Sequence, residues 1–221
     1  MLTLDGSALR LAEGWAVLTR LGEAQIVLPP MALALASHLW VARRQAWPVA
    51  LVWLAGLAVA ASLTLASKLA FIGWCWGWAW ADFTGVSGHT LVATAALPPL
   101  AGLLSTRWMA PARRLLVGLA CMLVVVVGSS RVLLGFHSVS EVLAGWVLGT
   151  AVAIAAHGRL PGLTHRAAGW PALLVLAWGL LSVSHAPPSR SHDMVTALAL
   201  RLSGHATPFV RADLHRTPAA R

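Results

Sequence analysis

The residue types that do chemistry gather in two short stretches. Gly85-Val86-Ser87-Gly88-His89-Thr90 sets a hydroxyl, a glycine and a histidine at the start of an apolar run. Small residues there leave backbone N–H groups approachable, and helix-start amides suit an anion facing Ser87 and Gly88. The plainer reading is that Ser87 caps the helix and His89 is an interfacial histidine. The second stretch is Ser129-Ser130-Arg131 followed by Gly135-Phe136-His137-Ser138-Val139-Ser140-Glu141. Four-residue spacing puts His137 and Glu141 about one helical turn apart, so the carboxylate reaches one ring nitrogen and leaves the other free to attack. Ser138-x-x-Glu141 also matches a capping box, and the two duties are compatible. Arg131 ends an apolar helix and needs an anionic partner, either Glu141 or a ligand. Lys68 is the only lysine in the chain. Alone, it reads as a side chain reaching up to lipid headgroups.

The elements that must position these residues are membrane helices. Hydrophobic residues make up 58% of the chain and charged residues 10%, and between residues 24 and 189 the only acids are Asp82 and Glu141. Apolar runs recur at roughly the length needed to cross a bilayer. They predict an all-α, polytopic transmembrane bundle of about six spans, near 24–41, 46–67, 89–105, 115–134, 139–156 and 170–185. The expected organisation is an amphipathic or flexible segment over 1–23, a transmembrane domain over 24–189 and a basic tail over 190–221. The proline pairs at 29–30 and 98–99 are expected to bend or end their helices. The first apolar run starts only near residue 24, after Glu13 and Glu23, so no cleavable signal peptide is expected. Cys75 and Cys121 fall at different depths, and neither a disulfide nor a metal site is expected.

The net charge of +9 is explained by topology. Arg43 and Arg44, then Arg107, Arg113 and Arg114, then Arg159 and Arg166 follow alternate spans and share one side, which the positive-inside rule makes cytoplasmic. A nucleic-acid partner therefore loses its support, and the lipid bilayer takes its place. The opposite side, the periplasm or exterior of an inner (plasma) membrane, receives both termini, residues 68–88 and the turn at 128–138. Trp74, Trp76, Trp78 and Trp80 would sit at that outer interface, with Trp40, Trp47, Trp108 and Trp170 at the inner one. Two hairpins thus bring Lys68, Ser87, His89, Arg131, His137 and Glu141 to one face. Asp82 has open readings: it orients His89 or Lys68, or it is an interfacial residue.

This set resembles the type 2 phosphatidic acid phosphatase superfamily, whose signature is K-x6-R-P, P-S-G-H and S-R-x5-H-x3-D. The third part stands as Ser130-Arg131, five residues, His137, three residues and Glu141, with Glu for Asp. The second stands as Val86-Ser87-Gly88-His89, without its Pro. In the first, Lys68 matches, while Cys75 and Trp76 replace Arg and Pro. The resemblance spans about residues 68–150. It implies a metal-independent phosphatase without cofactor, acting on a lipid phosphate monoester or a polyprenyl diphosphate. In it His137, oriented by Glu141, forms a phosphohistidine and His89 protonates the leaving oxygen. Lys68, Arg131, Ser130, Ser87 and the amides near Gly88 hold the phosphoryl oxygens. Two other readings compete: a phosphatase-like lipid-binding or transport protein disabled by the missing Arg, and a rhomboid-type serine protease built on Gly85-Val86-Ser87-Gly88. The protease leaves Lys68, Arg131 and Glu141 without a duty. Oligomeric state is not legible.

Overall fold

The computed structural model describes residues 6–105, 110–158, 170–187 and 189–216, and among them there is no strand. The helices are α1 (Gly6–Arg20), α2 (Ala24–Trp74), α3 (Gly88–Leu104), α4 (Ala110–Leu133), α5 (Val139–His157), α6 (Trp170–His185), α7 (Ser191–Ser203) and α8 (Arg211–Leu214), with a 3-10 turn at Ala79–Ala81. Arg107, Trp108, Arg159 and Arg166, part of the expected inner side, lie outside the described residues. Among the described residues, three stretches are long and apolar enough to cross a membrane: Glu13–Trp74, Ala110–Leu133 and Val139–His157. α3 is apolar but has 17 residues, about 25 Å at 1.5 Å per residue against a hydrocarbon core of about 30 Å. The count of six spans stays an expectation.

The 51-residue α2 occupies the place of the first two expected spans. A straight helix of that length would reach about 75 Å. Yet Gly22, just before it, packs against His89, while Thr64 faces Gly88 and Lys68 lies against Gly85 near its other end. Two ends that share one neighbourhood require the helix to double back. The break is at Ala42, whose φ of −139° and ψ of 49° leave the helical region, beside Arg43 and Arg44.

The proline pairs do not end their helices, contrary to one of the expected outcomes; both run inside α2 and α3. A proline cannot donate to the carbonyl four residues back, and in lipid an orphaned carbonyl must find another donor. Tryptophans supply it. The Trp53 indole N–H donates to the Ala95 carbonyl at 2.7 Å, four residues before Pro99. The Trp178 indole does the same for Ile26, four before Pro30, at 3.0 Å.

α3 lies at the centre. Its Leu91, Ala95, Leu100 and Leu103 are buried in one cluster with Met31 and Leu35 of the first arm of α2, Val49 and Trp53 of the second, and Val152 and Ala156 of α5. Gly145 and Gly149 set how closely α3 and α5 approach. A Cβ on Gly145 would fall 2.8 Å from the Ser87 carbonyl oxygen, and one on Gly149 would fall 2.5 Å from Thr94 Cβ. This small-xxx-small spacing lets two helix backbones touch. It also fixes the start of α3 beside the start of α5.

The terminal segments are folded onto the bundle. α1 packs on α4 and α7 on α2, with Ala199 and Leu214 buried against Phe71, Ile72 and Cys75.

Candidate active site

The loop before α3 is shaped by its contact with α2. Gly85 has φ of +145°, a conformation side chains rarely adopt, and a Cβ there would come within 3.0 Å of Lys68 Cγ. Glycine lets the chain pass directly over the lysine. The Val86 amide then donates to Ser67 Oγ at 3.1 Å, and the Ser87 amide donates to the Glu141 carbonyl at 3.1 Å. Loop, α2 and α5 are thereby joined at one point.

The start of α5 carries both duties weighed for Glu141. Ser138 Oγ accepts from the Glu141 amide at 3.4 Å, and Glu141 Oε2 accepts from the Ser138 amide at 3.2 Å, which is the capping box. The same Oε2 lies 2.5 Å from His137 Nδ1. Glu141 is fully buried, and Oε1 accepts from the Thr84 amide at 2.7 Å and from the Thr84 hydroxyl at 2.5 Å. With Nδ1 directed at the carboxylate, Nε2 is the nitrogen available for attack.

His137 sits in the turn between α4 and α5. Burial pushes its pKa below the ordinary 6.5; the hydrogen bond and charge of Glu141 oppose that, and Lys68 and Arg131 add to it. The balance favours the neutral imidazole, the form a nucleophile needs. Lys68 and Arg131 are thus near enough for His137 to feel their charge, and His89 feels all three. The structure gathers Lys68, His89, Arg131, His137 and Glu141.

The remaining residues behave less uniformly. Gly88 opens α3 with free space above its Cα: a Cβ would meet only Thr64 Cγ2, at 4.0 Å. Ser87 occupies the N-cap position but makes no side-chain cap bond; its hydroxyl is paired with the Thr90 hydroxyl at 2.9 Å, so the capping reading of Ser87 fails. Ser130 donates to the Val127 carbonyl of its own helix at 2.6 Å. Its hydroxyl is turned into α4.

Arg131 does not take Glu141, one of the two partners the sequence allowed. Its guanidinium donates to Thr19 Oγ1 of α1 at 3.1 Å and lies over the Phe136 ring at 4.4 Å. Its buried Nε has no partner. Glu141 takes Arg211 instead, with Nη2 2.9 Å from each carboxylate oxygen. Asp82 orients neither His89 nor Lys68: it binds Arg211 Nη1 at 2.7 Å and His215 Nε2 at 2.8 Å.

Thr19, Thr84 and Arg211 escaped the sequence reading. Thr19 and Arg211 come from segments about 110 and 70 residues away along the chain from their partners. The only signal was indirect: two acids in an apolar region, with one, Asp82, lacking an assigned cation.

Comparison with known proteins agrees with the motifs. The family model of the PAP2 superfamily matches residues 74–163, a range that takes in His89, His137, Arg131 and Glu141 and starts after Lys68. A protein of Klebsiella pneumoniae, described as an uncharacterized 22.5 kDa protein in a cps region, is 33% identical over 209 residues, covering 91% of this chain and 98% of that one. No solved structure matches the chain significantly. The motif residues, their convergence on one end of the helical bundle and these matches together make the chain a member of the PAP2 superfamily.

Proposed function

We propose that the protein hydrolyses a lipid phosphate monoester or a polyprenyl diphosphate through a phosphohistidine on His137, at the outer face of the membrane. Superfamily membership supports phosphatase-type activity in general. The observation that carries the finer reading is the 2.5 Å contact of His137 Nδ1 with the buried Glu141 carboxylate, which leaves Nε2 available beside two cations. Nε2 attacks phosphorus, the N–P bond forms, and the P–O bond to the leaving oxygen breaks as His89 protonates that oxygen. Water then attacks phosphorus, gives its proton to His89 and releases phosphate from the ring nitrogen. Lys68 and Arg131 supply positive charge where phosphoryl oxygens would gather. Placement among apolar helices suits a substrate whose tail stays in lipid, and the arginine asymmetry supports the outer face.

Purified protein assayed in detergent micelles on dioleoyl phosphatidate and on a prenyl diphosphate tests the reading. His137→Ala should abolish turnover together with an acid-labile, base-stable phosphoenzyme label, and intact cells should hydrolyse a membrane-impermeant phosphate ester. Normal turnover by His137→Ala would overturn the mechanism, and hydrolysis only after permeabilisation would overturn the outer face.

One observation favours a second reading, a binding or transport relative without catalysis. Cys75 and Trp76 stand where the first motif has Arg and Pro, and Cys75 is buried. Such a protein would release no phosphate from either substrate.

A further inference from the structure

We infer that Arg211, carried by the C-terminal segment, is a positioning residue of the phosphatase site that holds Glu141, and through it His137, in working geometry. The inference rests on the reading of His137 as nucleophile. Glu141 has no solvent exposure, and a buried carboxylate is costly unless a countercharge and hydrogen bonds compensate it. When His137 is neutral its contact supplies a hydrogen bond but no countercharge. Arg131 is engaged elsewhere, with Thr19 and Phe136. Arg211 is the cation in contact: Nη2 reaches both carboxylate oxygens at 2.9 Å and Thr84 Oγ1 at 3.4 Å.

The guanidinium is itself fixed. Nη1 donates to the Asp82 carbonyl at 2.6 Å and to its carboxylate at 2.7 Å, and His215 grips the other Asp82 oxygen. Asp82 has φ of 48°, the left-handed region, where Asp is tolerated better than most residues. Leu214, one turn beyond Arg211, is buried against Phe71, Ile72 and Cys75, and the Phe209 amide donates to the Ile72 carbonyl at 3.0 Å. Thus the C-terminal segment docks on the outer end of α2, where the family's first motif would place its arginine, and delivers a guanidinium from elsewhere in the chain. Both terminal nitrogens of that guanidinium face carboxylates. Its duty is therefore to orient the acid and neutralise it, not to hold phosphate.

The test compares the full-length wild type with Arg211→Ala, Arg211→Lys, Asp82→Asn, His137→Ala and the control Arg201→Ala in detergent micelles, with dioleoyl phosphatidate as substrate. Arg201 is an exposed cation on α7. Arg211→Ala should lower kcat by about 10- to 100-fold, by analogy with the loss of a hydrogen-bonded partner behind a metal-ligating side chain. KM should stay within about threefold, because phosphate is not the group it holds. Added guanidinium at a non-denaturing concentration should restore part of the kcat of Arg211→Ala and leave His137→Ala inactive. Lys should retain more activity than Ala, and Arg201→Ala should match wild type. Asp82→Asn keeps the guanidinium and its bond to the residue-82 carbonyl but removes the anchoring charge, so its kcat should fall less than that of Arg211→Ala; it also serves if Arg211→Ala fails to fold.

Three results would overturn the inference: wild-type kcat in Arg211→Ala and Asp82→Asn; a loss of thermal stability with no effect on kcat and no guanidinium rescue; or a rise in KM at unchanged kcat, which would make Arg211 a phosphate ligand. An inactive wild type, or an active His137→Ala, would instead remove the phosphatase reading and the inference with it. Failure at Arg211 alone leaves that reading standing.

Discussion

The two corners of the site are finished to different degrees. At the start of α5 the Glu141 carboxylate accepts from the Thr84 amide and hydroxyl, the Ser138 amide and Arg211, and it faces His137 Nδ1. Every lone pair has a use before any ligand arrives. Across from it, at the start of α3 and the end of α2, no hydrogen bond among the described residues engages the Lys68 ammonium or the His89 ring, and Arg131 keeps a buried Nε without a partner. Unpaired polar groups in so apolar a setting are expensive unless something else pairs them. The difference teaches a division of labour. On the proposed mechanism, one corner fixes the nucleophile in advance and the other is completed by the anion it would bind.

The largest effect should come from the open corner. His89→Ala should lower kcat on dioleoyl phosphatidate by about 10²- to 10⁴-fold, the range for a lost general acid. On p-nitrophenyl phosphate, whose leaving group departs as a stable anion, the loss should be far smaller. Equal losses on both substrates would mean that His89 binds phosphate and does not move a proton, and the division would need redrawing.

The preassembled corner should break more sharply than a helix cap would. As a cap alone, Glu141→Gln costs little, since Gln also accepts from the backbone. The structure changes that expectation. Whichever oxygen becomes the amide nitrogen faces donors, from Thr84 on one side or from Ser138 and Arg211 on the other, and an unsatisfied buried donor costs about 1–3 kcal/mol. Glu141→Gln should therefore lose thermal stability and at least about 10²-fold in kcat, because the charge that steadies the imidazolium character growing on His137 is gone. Glu141→Asp should retain more activity than Gln. A variant with kcat within about threefold of wild type would leave Glu141 a cap and send the search for the orienting group elsewhere.

What was legible in the sequence follows the same division. Residues tied to each other through local spacing were readable: His137 and Glu141 through four residues, and Ser138 and Glu141 through the capping pattern. So were the apolar helices and the meeting of the motifs at one end of the bundle. Contacts made by chain reversal were not. The reversal itself was marked, since the apolar runs stop at 41 and resume at 46 around Arg43 and Arg44 and the helix breaks at Ala42, but the tryptophans that satisfy the carbonyls ahead of Pro30 and Pro99 come from other helices. Arg211 lay in a basic tail whose charge looked generic. Only its docking beside Cys75 shows that it reaches Glu141.

The finest prediction weighs one hydroxyl. The acid limb of kcat/KM should reflect His137 in the free enzyme, which must be neutral to attack. Because burial pushes its pKa below 6.5 and Lys68 and Arg131 add to that push, activity should hold as pH falls to 6.5 and decline only below it. In kcat the limb should lie at higher pH, since bound phosphate adds negative charge beside the ring. Thr84→Val removes the hydroxyl that donates to Glu141 Oε1 at 2.5 Å and keeps the amide at 2.7 Å. With one donor fewer, the carboxylate pulls harder on the His137 proton and raises the pKa of the ring. The acid limb of kcat/KM should therefore move up toward 6.5 by less than about one unit, and kcat should fall by less than about tenfold. A limb that stays in place would mean that Arg211 and the backbone amide already neutralise Glu141, leaving the Thr84 hydroxyl to hold the loop against α5. A limb that moves down would contradict the electrostatic account of the preassembled corner altogether.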